Sequence, residues 1–223
     1  MDKKYKQMRN IIVATIIFSV ICGNIFSQDG RKSNQSEQQA FEKKMLGQLK
    51  KITTLECAMQ LETTSSAGEK SGMKGPLAYQ FPARLRWEFT APQPAILILN
   101  GPHTMLLDKT GKRNLANEKK LRELGTFIMM VINGKVIAQP NRVFSPEFHE
   151  FNEKKMLVIL TPKGKMKDKF NKIELRIDPE TMLANSISLD EKSGEKTIIT
   201  LTNIVINHQI PHNKFEIQDD TKQ

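Results

Sequence analysis

The spacing of apolar residues changes near position 53, and that change decides what the chain can build. Before it, Phe41, Met45, Leu49 and Ile52 recur at intervals of four, four and three, with Leu46 beside them. That is one apolar stripe on a helix. The spacing predicts a helix over 37–51, opened by Ser36 with Gln39 in capping-box order. After it, Leu55, Cys57, Met59 and Leu61 alternate with Glu56, Ala58, Gln60 and Glu62. A period of two means a strand with one dry face and one wet face. The same alternation returns in Arg84–Thr90, where Leu85, Trp87 and Phe89 share one side.

Turn chemistry divides the rest. Residues 63–72 (TTSSAGEKSG), Pro82, the APQP segment and Asn100-Gly101-Pro102 separate apolar runs at 73–80, 84–90, 96–100 and 103–108. Residues 53–108 therefore read as an antiparallel meander. From Asn117 the period changes back. Leu121, Leu124, Ile128 and Val131 form a helical stripe with Phe127 adjacent, Asn117 and Glu118 suit its start, and Gly134 closes it. Gly125 weakens its interior, so two short turns are an alternative to one helix. Strand-like runs then resume at 156–161, 170–177, 182–191 and 196–204, with a last short strand, KFEI, near Ile217. The expected fold class is α+β, mainly β: one curved antiparallel sheet of about ten or eleven strands, coiled into an incomplete barrel with amphipathic helices against its concave face. Periodicity alone does not separate a filled core from a cavity there.

The N-terminus stands apart. Lys3, Lys4, Lys6 and Arg9 precede a predominantly apolar run of twelve residues, IIVATIIFSVIC, and polarity returns after GNIFS. This is the order of a secretory signal peptide over 1–27, with cleavage between Ser27 and Gln28. A retained anchor and a lipoprotein signal at Cys22 are the alternatives. Cleavage would remove a net +3 from the chain's +10 and leave 196 of 223 residues. It would also leave Cys57 as the single cysteine, so no internal disulfide forms. The organisation expected is a flexible 28–36, one domain over 37–217 and a polar tail over 218–223. The location expected is the periplasm of a Gram-negative bacterium.

Chemical motifs are sparse. His208 and His212 are four apart, but Pro211 between them opposes a helix that would aim both at a metal. There is no GxSxG elbow, no Gly-rich phosphate loop and no thiolate pair for zinc. Cys57 falls on the dry face of its strand and reads as an inert thiol. No catalytic, metal-binding or cofactor-binding residue is assigned, and the chain is read as no enzyme. Lysine-rich clusters at Lys109, Lys112, Arg113, Lys119, Lys120 and Arg122, and at Lys163, Lys165, Lys167 and Lys169, lack interleaved aromatics. They suit a solvated face, an anionic membrane surface or an acidic partner, not nucleic acid. Nine methionines follow residue 27. Met adapts to irregular apolar partners, so a concavity lined with Met and Leu would suit acyl chains.

One ordered series carries a family resemblance. An amphipathic helix precedes LECAMQLET, a Gly-containing strand leads into FPARLRWEF, and AILILNGPHTMLLD follows a Pro-rich turn. Later come MLVILTPKG and the long C-terminal run from KIELRIDPETM to NKFEI. Over about 37–217 the chain resembles the periplasmic outer-membrane lipoprotein carrier family, LolA-like. The resemblance implies an unclosed barrel with a helical lid over an apolar cavity. It implies a non-covalent carrier that shields the acyl chains of lipoproteins. Such a carrier is expected to be a monomer, to take cargo from an inner-membrane lipoprotein-releasing transporter and to deliver it to an outer-membrane receptor. By position it implies Leu85, Trp87 and Phe89 facing the cavity, with Met105 or Leu106 in the next hairpin. It also implies Leu121, Leu124, Phe127 and Ile128 in the lid, and Phe41, Met45 and Leu49 in the first helical cover. The chain departs from the family pattern at Phe81, where a basic residue that helps hold the lid shut is expected. It departs again at Leu106 and Leu107, which stand where the family has an aromatic. A binding or sensing protein for another acylated molecule, a lipid or pigment precursor, is the alternative, with a lipid-acting enzyme third.

Overall fold

The computed structural model describes residues 31–216, apart from 33, 109, 111–114, 139–142, 153 and 154. The proposed signal segment 1–27 and the tail 218–223 lie outside the described residues. The strands are β1 (Arg31–Lys32), β2 (Thr54–Thr64), β3 (Lys70–Gln80), β4 (Arg84–Phe89), β5 (Ala95–Asn100), β6 (His103–Asp108), β7 (Phe144–Asn152), β8 (Lys155–Pro162), β9 (Phe170–Ile177), β10 (Ala184–Glu191) and β11 (Lys196–Ile206). The helices are α1 (Gln35–Leu49) and α2 (Leu115–Ile132). All eleven strands form one sheet in the order β1-β7-β8-β9-β10-β11-β2-β3-β4-β5-β6, and every pairing is antiparallel.

That order has a simple origin. After the two-residue edge strand β1 and helix α1, the chain joins the middle of the sheet at β2 and zigzags outward to the edge strand β6. It then crosses through α2 to the other side, zigzags back from β7, and closes the circuit where β11 pairs with β2. Edge strands β6 and β1 do not pair with each other, so the barrel stays unclosed.

Alternation fixes the faces as the sequence predicts. Cys57, Leu77, Trp87, Leu97 and Leu106 stand opposite one another on successive strands, and all are buried in the core. The outer row one residue over runs Ala78, Arg86, Ile98 and Met105. It is covered by the C-terminal segment, where Ile210 and Phe215 cluster with Ala78. Asn100 Nδ2 donates to the Phe215 carbonyl at 3.4 Å and Arg86 Nη1 to the Lys214 carbonyl at 3.2 Å. The described part of KFEI, Lys214–Glu216, is no strand, and Ile217 lies outside the described residues. His212–Phe215 is a single 3-10 turn that drives Phe215 onto the back of the sheet.

Helix α1 starts earlier than its spacing predicts. Asn34 is the cap: its side chain accepts from Glu37 N at 2.9 Å, and Glu37 Oε2 accepts from Asn34 N at 2.8 Å. The box thus uses Asn34 and Glu37, and Ser36 is already helical. Helix α2 is continuous through Gly125. A Cβ at Gly125 would sit 2.8 Å from Leu99 Cδ1 and 3.5 Å from Leu97 Cδ2, so the missing side chain lets the helix rest directly on β5. Gly134 ends the helix at φ +74 and lies against Leu46 and Leu49 of α1, locking the two helices together.

Candidate functional site

The concave face is part core and part cavity. Toward one end, α1 fills it: Met45 and Leu49 are buried, and Phe41 meets Phe148 edge-on with centroids 5.2 Å apart. Toward the β2–β3 turn, the first half of α2 lies over the sheet and leaves it less completely filled. A cavity of about 880 Å³ remains there. Its walls come from both ends of the topology: Leu61 and Met73 from β2 and β3, Phe89 and Leu106 from β4 and β6, and Phe144, Met166 and Phe170 from the returning half.

The stripe on α2 divides along this boundary. Leu121, Leu124, Phe127 and Met130 are half-buried and face the cavity. Gly125, Ile128, Val131 and Ile132, the next face round, are buried against the sheet. Phe127 reaches across to Phe144, ring to ring at 6.2 Å and 70°. Charged side chains gather only at the mouth: Lys120, Arg122 and Glu123 from α2 face Lys165, Lys169, Glu191 and Glu195 from the opposite lip. Burial pushes the Glu191 carboxyl above its ordinary range, and neighbouring Glu195 adds to this, while Lys169 and Lys120 oppose it.

Of the residues expected at the site, the structure brings together Phe89, Leu106, Leu121, Leu124 and Phe127 around the cavity. The others lie elsewhere. Leu85 and Trp87 are fully buried in the floor of the core, under Gly125 and beneath Phe89. Ile128 is on the sheet-facing side of α2 and has no surface left for a ligand. Phe41, Met45 and Leu49 plug the far end against β7, outside the cavity. Met105 is opposite Ile98 on the outer face; register sends Leu106 inward in its place. Met73, Met130, Met166 and Phe170 are wall residues not singled out as ligand contacts, although Met130 follows Phe127 by three on the predicted stripe.

Phe81, at the position where the resemblance expects a basic clasp, is 54% exposed and holds nothing shut. The two spaced histidines are spent separately on the outer face. His208 Nε2 lies 2.6 Å from Glu56 Oε2, and His212 Nε2 lies 3.2 Å from Arg84 Nη1. Lys214 also contacts Glu56, and this hydrogen bond is the main cause that holds the Glu56 carboxyl below its usual value. Cys57 is buried, and its thiol is pushed up to about 12, first by burial and then by the Glu56 charge. No group of three or more metal-ligating side chains occurs among the described residues.

Comparison with known proteins follows the same lines. The family model for outer membrane lipoprotein carrier protein LolA matches residues 50–218. No curated protein matches the chain. Among solved structures, a domain from Vibrio parahaemolyticus assigned to outer membrane lipoprotein sorting is 10% identical, with 82% of this chain and 97% of that one covered and a TM-score of 0.46. A LolA superfamily protein from Nitrosomonas europaea is 10% identical over 79% and 97% of the two chains, TM-score 0.42. LprF from Mycobacterium bovis is 12% identical over 82% and 98%, TM-score 0.46. Family membership rests on the family model, which spans most of the sheet and all of α2. Proteins of this family are carriers and not catalysts, and they work in the periplasm of Gram-negative bacteria. The chain belongs to the LolA family of outer membrane lipoprotein carrier proteins.

Proposed function

We propose that the protein shields the acyl chains of outer-membrane lipoproteins in the cavity under α2 and carries them across the periplasm by binding and release alone. It would receive them from an inner-membrane lipoprotein-releasing transporter and pass them to an outer-membrane receptor. A signal peptide over 1–27, cut between Ser27 and Gln28, would deliver it there as a monomer. The observation that carries this reading is the apolar cavity of about 880 Å³ on a carrier-family scaffold. At roughly 30 Å³ per water-sized group, that space takes on the order of thirty methylenes. Each buried methylene contributes about 0.8 kcal/mol, so a filled cavity binds strongly and release demands that the lid move. Phe89, Leu106, Leu121, Leu124 and Phe127 are the proposed contacts. Three methionines on separate elements, Met73, Met130 and Met166, let the wall adapt to chains of different length.

The test is a release assay. Protein secreted from the full-length gene is added to spheroplasts carrying labelled outer-membrane lipoproteins. Soluble one-to-one complexes are expected. Trp87 is the single tryptophan and packs against the wall residue Phe89, ring centroids 4.1 Å apart and tilted by 47°, so its emission can report occupancy through Phe89. Phe127→Asp places a charge in the wall without emptying the core, and is expected to keep the fold and to weaken cargo binding more than about tenfold. A folded Phe127→Asp protein that still binds cargo normally would remove α2 from the site. No release by folded wild-type protein, combined with a Trp87 response to a simple lipid, would move the reading to another acylated cargo.

A further inference from the structure

Helix α2 is held unevenly. From Gly125 onward it is fixed by Ile128, Val131 and Ile132 against the sheet and by Gly134 against α1. From Glu118 to Leu124 no side chain is fully buried. That half crosses the mouth with Leu121 and Leu124 over the cavity and Lys120 and Glu123 at its rim.

The opposite lip is firm. The turn between β10 and β11 is closed by Glu191 N–H to the Glu195 carbonyl at 2.9 Å and Gly194 N–H to the Glu191 carbonyl at 3.0 Å. Lys192 N–H donates to the Lys169 carbonyl at 2.9 Å, which ties this turn to the start of β9. Two ion pairs bridge the lips: Lys169 Nζ to Glu123 Oε2 at 3.2 Å and Lys120 Nζ to Glu195 Oε1 at 3.7 Å. Lys169 also lies 5.4 Å over the ring of Phe170, a wall residue, which holds its ammonium at the rim.

The polarity of the two pairs is crossed. Helix α2 supplies one cation and one anion, three residues apart, and the lip supplies the complement. Such an arrangement gives little long-range attraction but fixes one register, because sliding the helix by about one turn, ~5.4 Å, separates both pairs. We propose that the crossed pairs Lys120–Glu195 and Glu123–Lys169 are the latch of the lid, setting how often the N-terminal half of α2 lifts and so the rate of cargo entry and exit. The consequence for cargo rests on the carrier reading; the latch itself does not.

The two are tested apart. In ligand-free, full-length protein, hydrogen exchange of the 118–124 amides reads lifting of the half-helix. Glu123→Lys and Lys169→Glu each set like charges face to face. Each is expected to raise exchange by on the order of three- to fivefold, the range of exposed ion pairs. The swapped double variant E123K/K169E restores the pair and is expected to lower exchange below both single variants, toward the wild-type rate, with Glu191 beside position 169 limiting the recovery. Salt near 1 M is expected to raise wild-type exchange and lower that of the single variants, so that the two converge. The second readout is Trp87 quenching by a brominated fatty acid: on- and off-rates rise together in the single variants and recover in the swap. Unchanged exchange in both single variants, or a swap that does not recover, overturns the latch whatever the fatty acid does. Exchange that follows the charges while no fatty acid enters keeps the latch and overturns the cargo reading.

Discussion

Gly125 gives the sharpest test of how the lid is mounted. In an ordinary helix interior, Gly→Ala is worth about 1 kcal/mol in favour of alanine. Here the new Cβ would lie 2.8 Å from Leu99 Cδ1, closer than such atoms approach, with Leu97 Cδ2 at 3.5 Å and Leu85 Cδ2 at 3.7 Å. The obstacle is the end of one leucine, which can turn partly off its rotamer for roughly 0.5–1.5 kcal/mol. Gain and loss nearly cancel, so Gly125→Ala is expected to shift stability by less than about 1 kcal/mol. Valine adds two methyl groups toward Leu97 and Leu85, and overpacking of that kind costs about 1–3 kcal/mol. Urea unfolding followed by Trp87 emission measures both, with an unchanged m-value as the check that only stability moved. Leu99→Ala alone is expected to cost about 2–5 kcal/mol. In the Gly125→Ala background it should cost roughly 1 kcal/mol less, because the new methyl enters the vacated space. Gly125→Ala stabilising by the full propensity gain, together with a neutral Gly125→Val, would refute the direct seating of α2 on β5.

Three further outcomes are expected. With the Cys57 thiol pushed up to about 12 against an ordinary 9.0, native protein at pH 8 should resist Ellman's reagent at the Cys57 peptide and react only in urea. Fast native labelling would contradict its burial. The carboxyl of Glu56 is depressed below its ordinary 4.5, so its contribution is present above that value and is lost as pH falls through the lower folded value. Urea midpoints of wild type and Glu56→Gln should therefore converge under acid conditions and separate at neutral pH, and parallel curves would deny the Lys214 and His208 contacts a role. Phe81→Ala should change stability by less than about 0.5 kcal/mol and leave cargo exchange rates alone, since that ring faces solvent; faster exchange would mean that Phe81 does help close the lid.

The sheet was legible because its signal is local and doubled. In β4, Leu85, Trp87 and Phe89 alternate in sequence and are the buried members of the strand. What was not legible depends on partners far along the chain. Met105 and Leu106 are adjacent and both apolar, and only the pairing of Leu106 with Leu97 decides which enters the core. Gly125 reads as a weak point in a helix until Leu99 is placed beneath it. KFEI alternates like a strand, yet four residues are too few to separate that pattern from a turn with one buried side chain. The cavity wall was missed for the same reason. Met73, Met166 and Phe170 are far apart in sequence, and each looks like core until the sheet is curled. Helix α1 announced an apolar face, but nothing in its spacing says which end of the concavity it fills.

The topology also bears on the proposed role of α2 as a lid. Strands β6 and β7 never pair, and α2 is the covalent link between them. A closed barrel could change its interior only by breaking a ladder of backbone hydrogen bonds, each costly to leave unmade. In this chain the edges β1 and β6 stay unpaired with each other, and the cavity mouth lies elsewhere, between α2 and the β10–β11 turn. The contacts at that mouth are apolar side chains on one face of α2 and exposed ion pairs at its rim, and exposed ion pairs are weak individually. The same sequence therefore supplies a rigid scaffold from period-two strands and a compliant mouth from a helix whose last half is seated and whose first half is not. The proposed carrier role, binding followed by release, would use that division, and Gly125 stands at the boundary between the two halves.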